Sequence, residues 1–237
     1  MSELARADNA HPAAAIWRPR AAADLSLDGR RLALLAGQSI GDIPSLTGCE
    51  VVVEKGWLVE WDTAIGGARV ISAIYISGDV VARDSFEDAG RDTQVTALIG
   101  TTVVALSSEA QRRDDAVAFL ASGRKRSLRH LREHVRSLTV HRAERRILHL
   151  LVSLWQRLLE SGEVSSSSFR LPLTQAQISD MSGMSLVHTN KSIARMKARH
   201  EVSFSGQIVT FPNPKNAVAV ADVIVRPTLR RLLDQQT

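Results

Sequence analysis

The sequence predicts an α+β protein in which a small β domain is followed by a long helix and a helix-turn-helix. Three observations carry this. Residues 49–106 alternate β-branched runs with turn signals, residues 111–138 switch to the three-and-four spacing of an amphipathic helix, and residues 172–200 hold two short capped segments joined at a glycine. The expected division is a tail at 1–24, a β domain at 25–110, the long helix at 111–138, a helix-turn-helix domain at 139–212 and an extension at 213–237.

Within the β domain the runs are CEVVVEKGWLVEW, ARVISAIYI and TQVTALIGTTVVAL. Lys55-Gly56, Ile65-Gly66-Gly67, Ser77-Gly78-Asp79 and Asp88-Ala89-Gly90 punctuate them, each able to end a strand. Strands at this spacing predict a small sandwich or barrel. Val117, Leu120, Ala121, Arg124, Leu128, Leu131, Val135 and Leu138 then form a stripe along one helix about 28 residues, or roughly 42 Å, long. So small a domain cannot cover such a helix. A parallel partner helix in a homodimer would bury Val117, Leu120, Leu128, Leu131, Val135 and Leu138 at near-heptad spacing. Arg124 interrupts the stripe, and packing of the helix on its own domains is the other reading.

A second helix is expected from about Val140 to Ser161, its broad apolar face built on Ile147, Leu148, Leu151, Leu154, Trp155 and Leu158. Gly162 and Ser165 to Ser168 read as a polar loop. Thr174 is suited to cap the next helix, with Gln177 at the reciprocal position three residues on. Ile178, Met181 and Met184 give its buried side and Gly183 the tight turn. Ser185 caps a further helix over 185–199 whose inner face is Thr189, Ile193 and Met196. Outward stand Leu186, Val187, His188, Asn190, Lys191, Arg195 and Lys197. Val202 to Phe211 read as a hairpin turning at Ser205-Gly206. Ala217 to Val225 fit a helix or a strand, and Arg226, Arg230 and Arg231 either add phosphate contacts or belong to a free basic tail.

Composition narrows the function. The chain has 237 residues, 44% hydrophobic, with no run near the roughly 18 apolar residues of a membrane helix. The first 23 residues mix Arg6, Arg18 and Arg20 with Glu3 and Asp8, which does not read as a secretory signal. A soluble cytoplasmic protein without membrane contact is expected. Cys49 is the single cysteine, too few for a disulfide or an iron–sulfur cluster, and reads as a small buried hydrophobe. His130 and His134 stand at i, i+4 but read as exposed helix positions, so no metal and no cofactor are expected. No nucleophile constellation, phosphate loop or carboxylate pair suggests an enzyme. Residues 1–110 hold 9 Lys/Arg against 15 Asp/Glu, whereas residues 111–237 hold 21 against 10. An acidic front half and a basic back half suit a sensing part and a part that meets a polyanion, and equally a merely solvated basic face.

The segment LTQAQISDMSGMSLVHTNKSIARMKARH followed by VSFSGQIVTF resembles the C-terminal domain of the Crp/Fnr (catabolite activator) family of bacterial transcription regulators. EKGWLVEW, the Gly66-Gly67-Ala68-Arg69 turn and VISAIYISGDVV are similar to its β-roll sensor, and HRAERRILHLLVSLWQRL to the helix leading into its DNA-binding domain. The resemblance implies an N-terminal β-roll of the cyclic-nucleotide-binding type, a long dimerisation helix and a C-terminal winged helix-turn-helix. It also implies a homodimer that reads palindromic double-stranded DNA, with RNA polymerase a candidate partner. Thr174, Ser185, Leu186, Val187, His188, Asn190, Lys191, Arg195 and Lys197 would then face DNA: Asn190 and Lys191 toward bases, His188, Arg195, Lys197 and Thr174 toward phosphates.

Where cyclic-nucleotide binders carry a Gly-Glu pair and an Arg-Ser/Thr, this chain has VARDSFEDAGRDTQ, leaving Arg91 as the one candidate phosphate partner. A cyclic nucleotide is therefore not expected, and the effector is left open. Leu186 and Val187 replace an early Arg and Glu of guanine-reading members and could touch a thymine methyl. Ser179, Ser182 and Thr189 make the motif's core more polar than the family's. Two further readings remain: a small-ligand signalling module acting through protein contacts, and a regulator that has lost its effector.

Overall fold

A computed structural model describes residues 29–63, 67, 69–81, 83 and 93–235. The tail expected at 1–24 and the segment containing Arg91 lie outside the described residues. Strands β1 (Gly29–Leu34), β2 (Glu50–Lys55), β3 (Trp57–Thr63), β4 (Arg69–Ile76), β5 (Val80–Val81), β6 (Thr93–Ala97) and β7 (Thr101–Leu106) form two antiparallel sheets, ordered β1-β7-β2-β5 and β4-β3-β6. The chain passes from one sheet to the other at Lys55-Gly56. Gly56 has φ +108°, and a Cβ there would fall 2.8 Å from the Thr101 Cα, so only glycine fits the crossing.

Strand alternation sorts the apolar residues into two layers. Val51, Val53, Leu58, Tyr75, Val95 and Val103 fill the space between the sheets. Val52, Val80, Val104 and Leu106 face outward and meet Ala116, Phe119 and Leu120 of helix α1 (Asp114–Val140). At 27 residues α1 is about 40 Å long, and only its first half finds this cover. Gly123 lets it come close, since a Cβ there would overlap the Val80 side chain.

This docking corrects one expectation. Leu120 is 4% exposed and belongs to the protomer's own core, not to a stripe offered to a partner. Its neighbours in the stripe behave differently: Val117 is 50% exposed, Leu128 48%, Leu131 49% and Val135 50%. Arg124, which interrupts them, bonds the buried Glu50 carboxylate at 2.6 Å and so fastens the helix to β2.

The helix breaks at His141 and Arg142, both extended, and α2 (Ala143–Ser161) begins there, about three residues later than expected. Next come β8 (Ser168–Arg170), α3 (Gln175–Ser182), α4 (Leu186–Ala198), β9 (Ser203–Ser205), β10 (Ile208–Thr210), α5 (Pro214–Ala221) and α6 (Pro227–Asp234). The Ser-rich loop expected at 165–168 thus ends in a strand, and β8-β10-β9 is a three-stranded wing in which Phe169 opposes Val209. The C-terminal segment is not a free tail. Ala217, Ala221 and Leu229 are fully buried against the same core as α2, and Arg226 is 9% exposed.

That core runs without a break from Trp57, Val59, Ile74 and Ile76 on the outer face of β3 and β4, through Ile147, Leu151 and Trp155 of α2, to Ile193, Met196, Val209 and Phe211. Arg157 of α2 adds a polar pin through it, bonding the Ile74 carbonyl and the Asp79 carboxylate at 2.6 Å each. Asp79 also accepts from the Ile76 amide at 2.9 Å. The two side chains are only 12% and 9% exposed, so removing one strands a buried charge. Arg157→Met is expected to cost roughly 3 kcal/mol or more in urea denaturation. Adding Asp79→Asn should recover part of that loss, and strict additivity of the two changes would contradict the pairing.

Candidate nucleic-acid interface

Helix α3 starts at a complete capping box: the Thr174 hydroxyl accepts from the Gln177 amide at 3.2 Å, and the Gln177 side chain accepts from the Thr174 amide at 2.8 Å. It ends at Gly183, whose left-handed φ of 62° and ψ of 41° turn the chain toward Ser185. The Ser185 hydroxyl accepts from the His188 amide at 3.3 Å and opens α4. These local signals fix the angle at which α4 leaves α3, and burial of Ile178, Met181, Ile193 and Met196 holds it.

Every outward residue expected on α4 is exposed: Leu186, Val187, His188, Asn190, Lys191, Arg195 and Lys197. Thr174 and Ser185 are exposed too, and their hydroxyls already serve the caps. Arg195 and Lys191 differ in a way the sequence did not signal. Arg195 lies 3.4 Å from Glu144 of α2, and Arg199 bonds the same carboxylate at 2.5 Å, which holds Glu144 below the usual carboxylate range. Among the described residues Lys191 and Lys197 make no ion pair. The free cationic charge therefore sits on the lysines, while the arginines are tethered to α2.

The polar residues noted in the motif's core split as well. The Ser179 hydroxyl donates to the Met184 carbonyl at 2.5 Å, whereas the hydroxyls of Ser182 and Thr189, and of Ser192, which the sequence did not single out, are buried with no hydrogen-bond partner. Such groups cost stability without reshaping the turn. Cys49 is half-buried at the edge of the β core. Among the described residues no group of three or more His, Cys, Asp or Glu is placed to hold a metal ion, and no helix is long and apolar enough to cross a membrane.

Histidines crowd the joint between α1 and α2. His141 and His149 lie with ring centroids 5.6 Å apart, both buried, and His149 Nδ1 is 2.9 Å from the Ala221 carbonyl. Asp222, itself bonded to Arg136 at 3.0 Å, stands 3.6 Å from His141 Nε2. Contrary to expectation His130 and His134 are half-buried, and burial pushes His130, His134, His141 and His149 all below the ordinary histidine value.

Two short capped helices at a glycine turn, followed by a hairpin that pairs with an earlier strand, define a winged helix-turn-helix protein. Residues 145–216 match the Crp-like helix-turn-helix domain family, so the chain carries a domain of that family. No curated protein sequence matches the chain. Solved structures are similar over most of its length: FixK2 from Bradyrhizobium japonicum, at 19% identity and TM-score 0.66, over 83% of this chain and 99% of its own; a CRP-family transcriptional regulator from Thermus thermophilus, at 13% and 0.66, over 82% and 98%; and a CooA mutant from Carboxydothermus hydrogenoformans, at 15% and 0.61, over 82% and 88%. The shared fold includes the N-terminal sheets and the long helix as well as the matched domain.

Two outcomes are expected. Thr174→Ala removes one half of the capping box and should destabilise the protein by about 1 kcal/mol, read from the urea midpoint. The four histidines His130, His134, His141 and His149 bind protons more readily when unfolded, so stability should fall as pH drops through about 6.5 and level off above it. His149→Gln should shallow that slope, and a pH-independent midpoint between neutral and mildly acidic buffer would contradict burial in the neutral form.

Proposed function

We propose that this chain is a cytoplasmic DNA-binding transcription regulator of the Crp/Fnr type, reading a palindromic duplex site as a homodimer with α4 in the major groove. The observation that carries the reading is the pairing of two exposed features on one frame: α4 presents its outward residues unburied, and α1 offers Val117, Leu128, Leu131 and Val135 half-exposed at heptad spacing. Two copies joined along α1 would place two α4 helices about 34 Å apart, one turn of DNA. Asn190 and Lys191 reach base edges, and Leu186 and Val187 meet thymine methyl groups. His188, Lys197, Thr174 and Ser185 position the helix on the backbone. Arg195 joins them when phosphate competes with Glu144 for its guanidinium. Arg226, buried between Glu133 and Glu160, takes no part. RNA polymerase is the partner through which such a bound dimer would act.

The test is selection of purified protein against random duplex DNA at two salt concentrations without added effector. A two-fold motif with half-sites one helical turn apart is expected. Lys191→Ala should weaken binding to that motif by roughly 1–3 kcal/mol and relax one position in each half-site. Weak binding that vanishes with salt and yields no motif would overturn the reading.

A further inference from the structure

A homodimer joined along α1 leaves the flanks of the apolar stripe to be matched. Leu128, Leu131, Val135 and Leu138 are spaced three, four and three apart, so Leu128 and Val135 take one kind of seam position and Leu131 and Leu138 the other. Ser127 stands just before Leu128, and Arg132 just after Leu131. In a parallel pair these two flanking positions face each other across the seam, Ser127 of one copy opposite the partner's Arg132.

Beyond Ser127 lies a cavity of about 500 Å³ at the junction of the β domain, α1 and α2. Ser127, Leu128 and Leu131 line it from α1, and Glu60, Ser72 and Tyr75 from β3 and β4. The flank that receives the partner's Arg132 therefore opens onto a wall that carries Glu60.

Glu60 differs from the other carboxylates of that wall. Asp79 is paired with Arg157 and Glu133 with Arg226, within the protomer. Glu60 accepts from the Ser72 hydroxyl at 3.0 Å and the Tyr75 hydroxyl at 2.5 Å, and among the described residues it makes no ion pair. It is half-buried, so it has lost hydration without gaining a cation. An ionised carboxylate accepts about four hydrogen bonds, and two of these remain open.

Arg132 is the complement. It is exposed and, among the described residues, makes no ion pair in its own protomer. Its planar guanidinium presents two parallel donors to a carboxylate. Lys125, the equivalent flanking residue one heptad earlier, would face Leu120, which packs on the other sheet and away from Glu60.

We propose that the partner's Arg132 enters this cavity and pairs with Glu60, once in each direction across the two-fold axis of the dimer. The proposal rests on the homodimer reading and names the polar contact that fits the second copy. Each pair ties the β domain of one protomer to α1 of the other, so charge as well as leucine packing sets the register of the seam.

The test is sedimentation equilibrium of the full chain, of Glu60→Gln, of Arg132→Gln and of the double variant, with Arg129→Gln as a control at an exposed position outside the seam and its flanks. Each single change removes both copies of the pair and should raise the dimer Kd about tenfold. The double variant should be no weaker than the weaker single, and Arg129→Gln should stay within about twofold of wild type. Circular dichroism reports which variants are folded. Should Glu60→Gln not fold, Arg132→Glu should still weaken the dimer at least about tenfold more than Arg129→Glu, both residues being exposed. An unchanged Kd in folded Arg132→Gln, single effects that add in the double variant, or equal effects at 129 and 132 would overturn the pair. Any of these in a dimeric wild type leaves the homodimer reading standing, whereas a wild type that stays monomeric overturns both.

Discussion

Arg157 holds the two halves of the molecule in register. It sits on α2, the first helix of the helix-turn-helix half, yet its two short bonds go to the β domain, one to the Ile74 carbonyl within β4 and one to Asp79 in the turn after it. A buried charge pair of this kind adds little net stability compared with apolar residues of similar shape, but it tolerates only one arrangement. The surrounding core of Trp57, Ile74, Leu151 and Trp155 supplies the burial energy, on the order of 2 kcal/mol for each large side chain. The pair fixes their register.

Arg226 does the same beside Arg157, at the same end of α2. It bonds Glu133 on α1 and Glu160 on α2, while Gln156 accepts from its amide and donates to the Ile224 carbonyl. The two C-terminal helices thereby become a strap between the long helix and the helix-turn-helix domain. Helix α1 is thus shared by two bodies. Its first half is docked on the β sheets by Phe119, Leu120 and Gly123, its second half is strapped by Arg226 and Arg136, and its remaining side is left half-exposed.

Most of this architecture was legible in the sequence, because local signals govern it. The capping residues Thr174, Gln177 and Ser185, the glycines at 56 and 183, and the three-and-four period of the long helix all specify structure within a few residues, and the structure has the caps, the turns and the helix there. Long-range partners were not legible. Leu120 fits the stripe as well as Val117 does, and only the position of β2 and β5 decides that it turns inward. Strand β8 was hidden because Ser168 carries no β signal, and its pairing comes from Phe169 meeting Val209. Arg226 reads as a phosphate contact or part of a basic tail and His130 and His134 read as exposed, and nothing local marks Glu144 or Arg157, because their partners lie on other elements, 50 to 95 residues away for the charged pairs. A buried arginine cannot be told from a solvated one until its carboxylate has been placed.

The central claim is that the exposed side of α1 joins two copies and so sets the spacing of two α4 helices. Sedimentation equilibrium of the wild type and of a Leu128→Asp/Val135→Asp variant tests it most directly. A wild-type dimer at micromolar concentration, with a folded monomeric variant that no longer binds the selected duplex, is the predicted result. A monomeric wild type, or a variant that still dimerises, would contradict it.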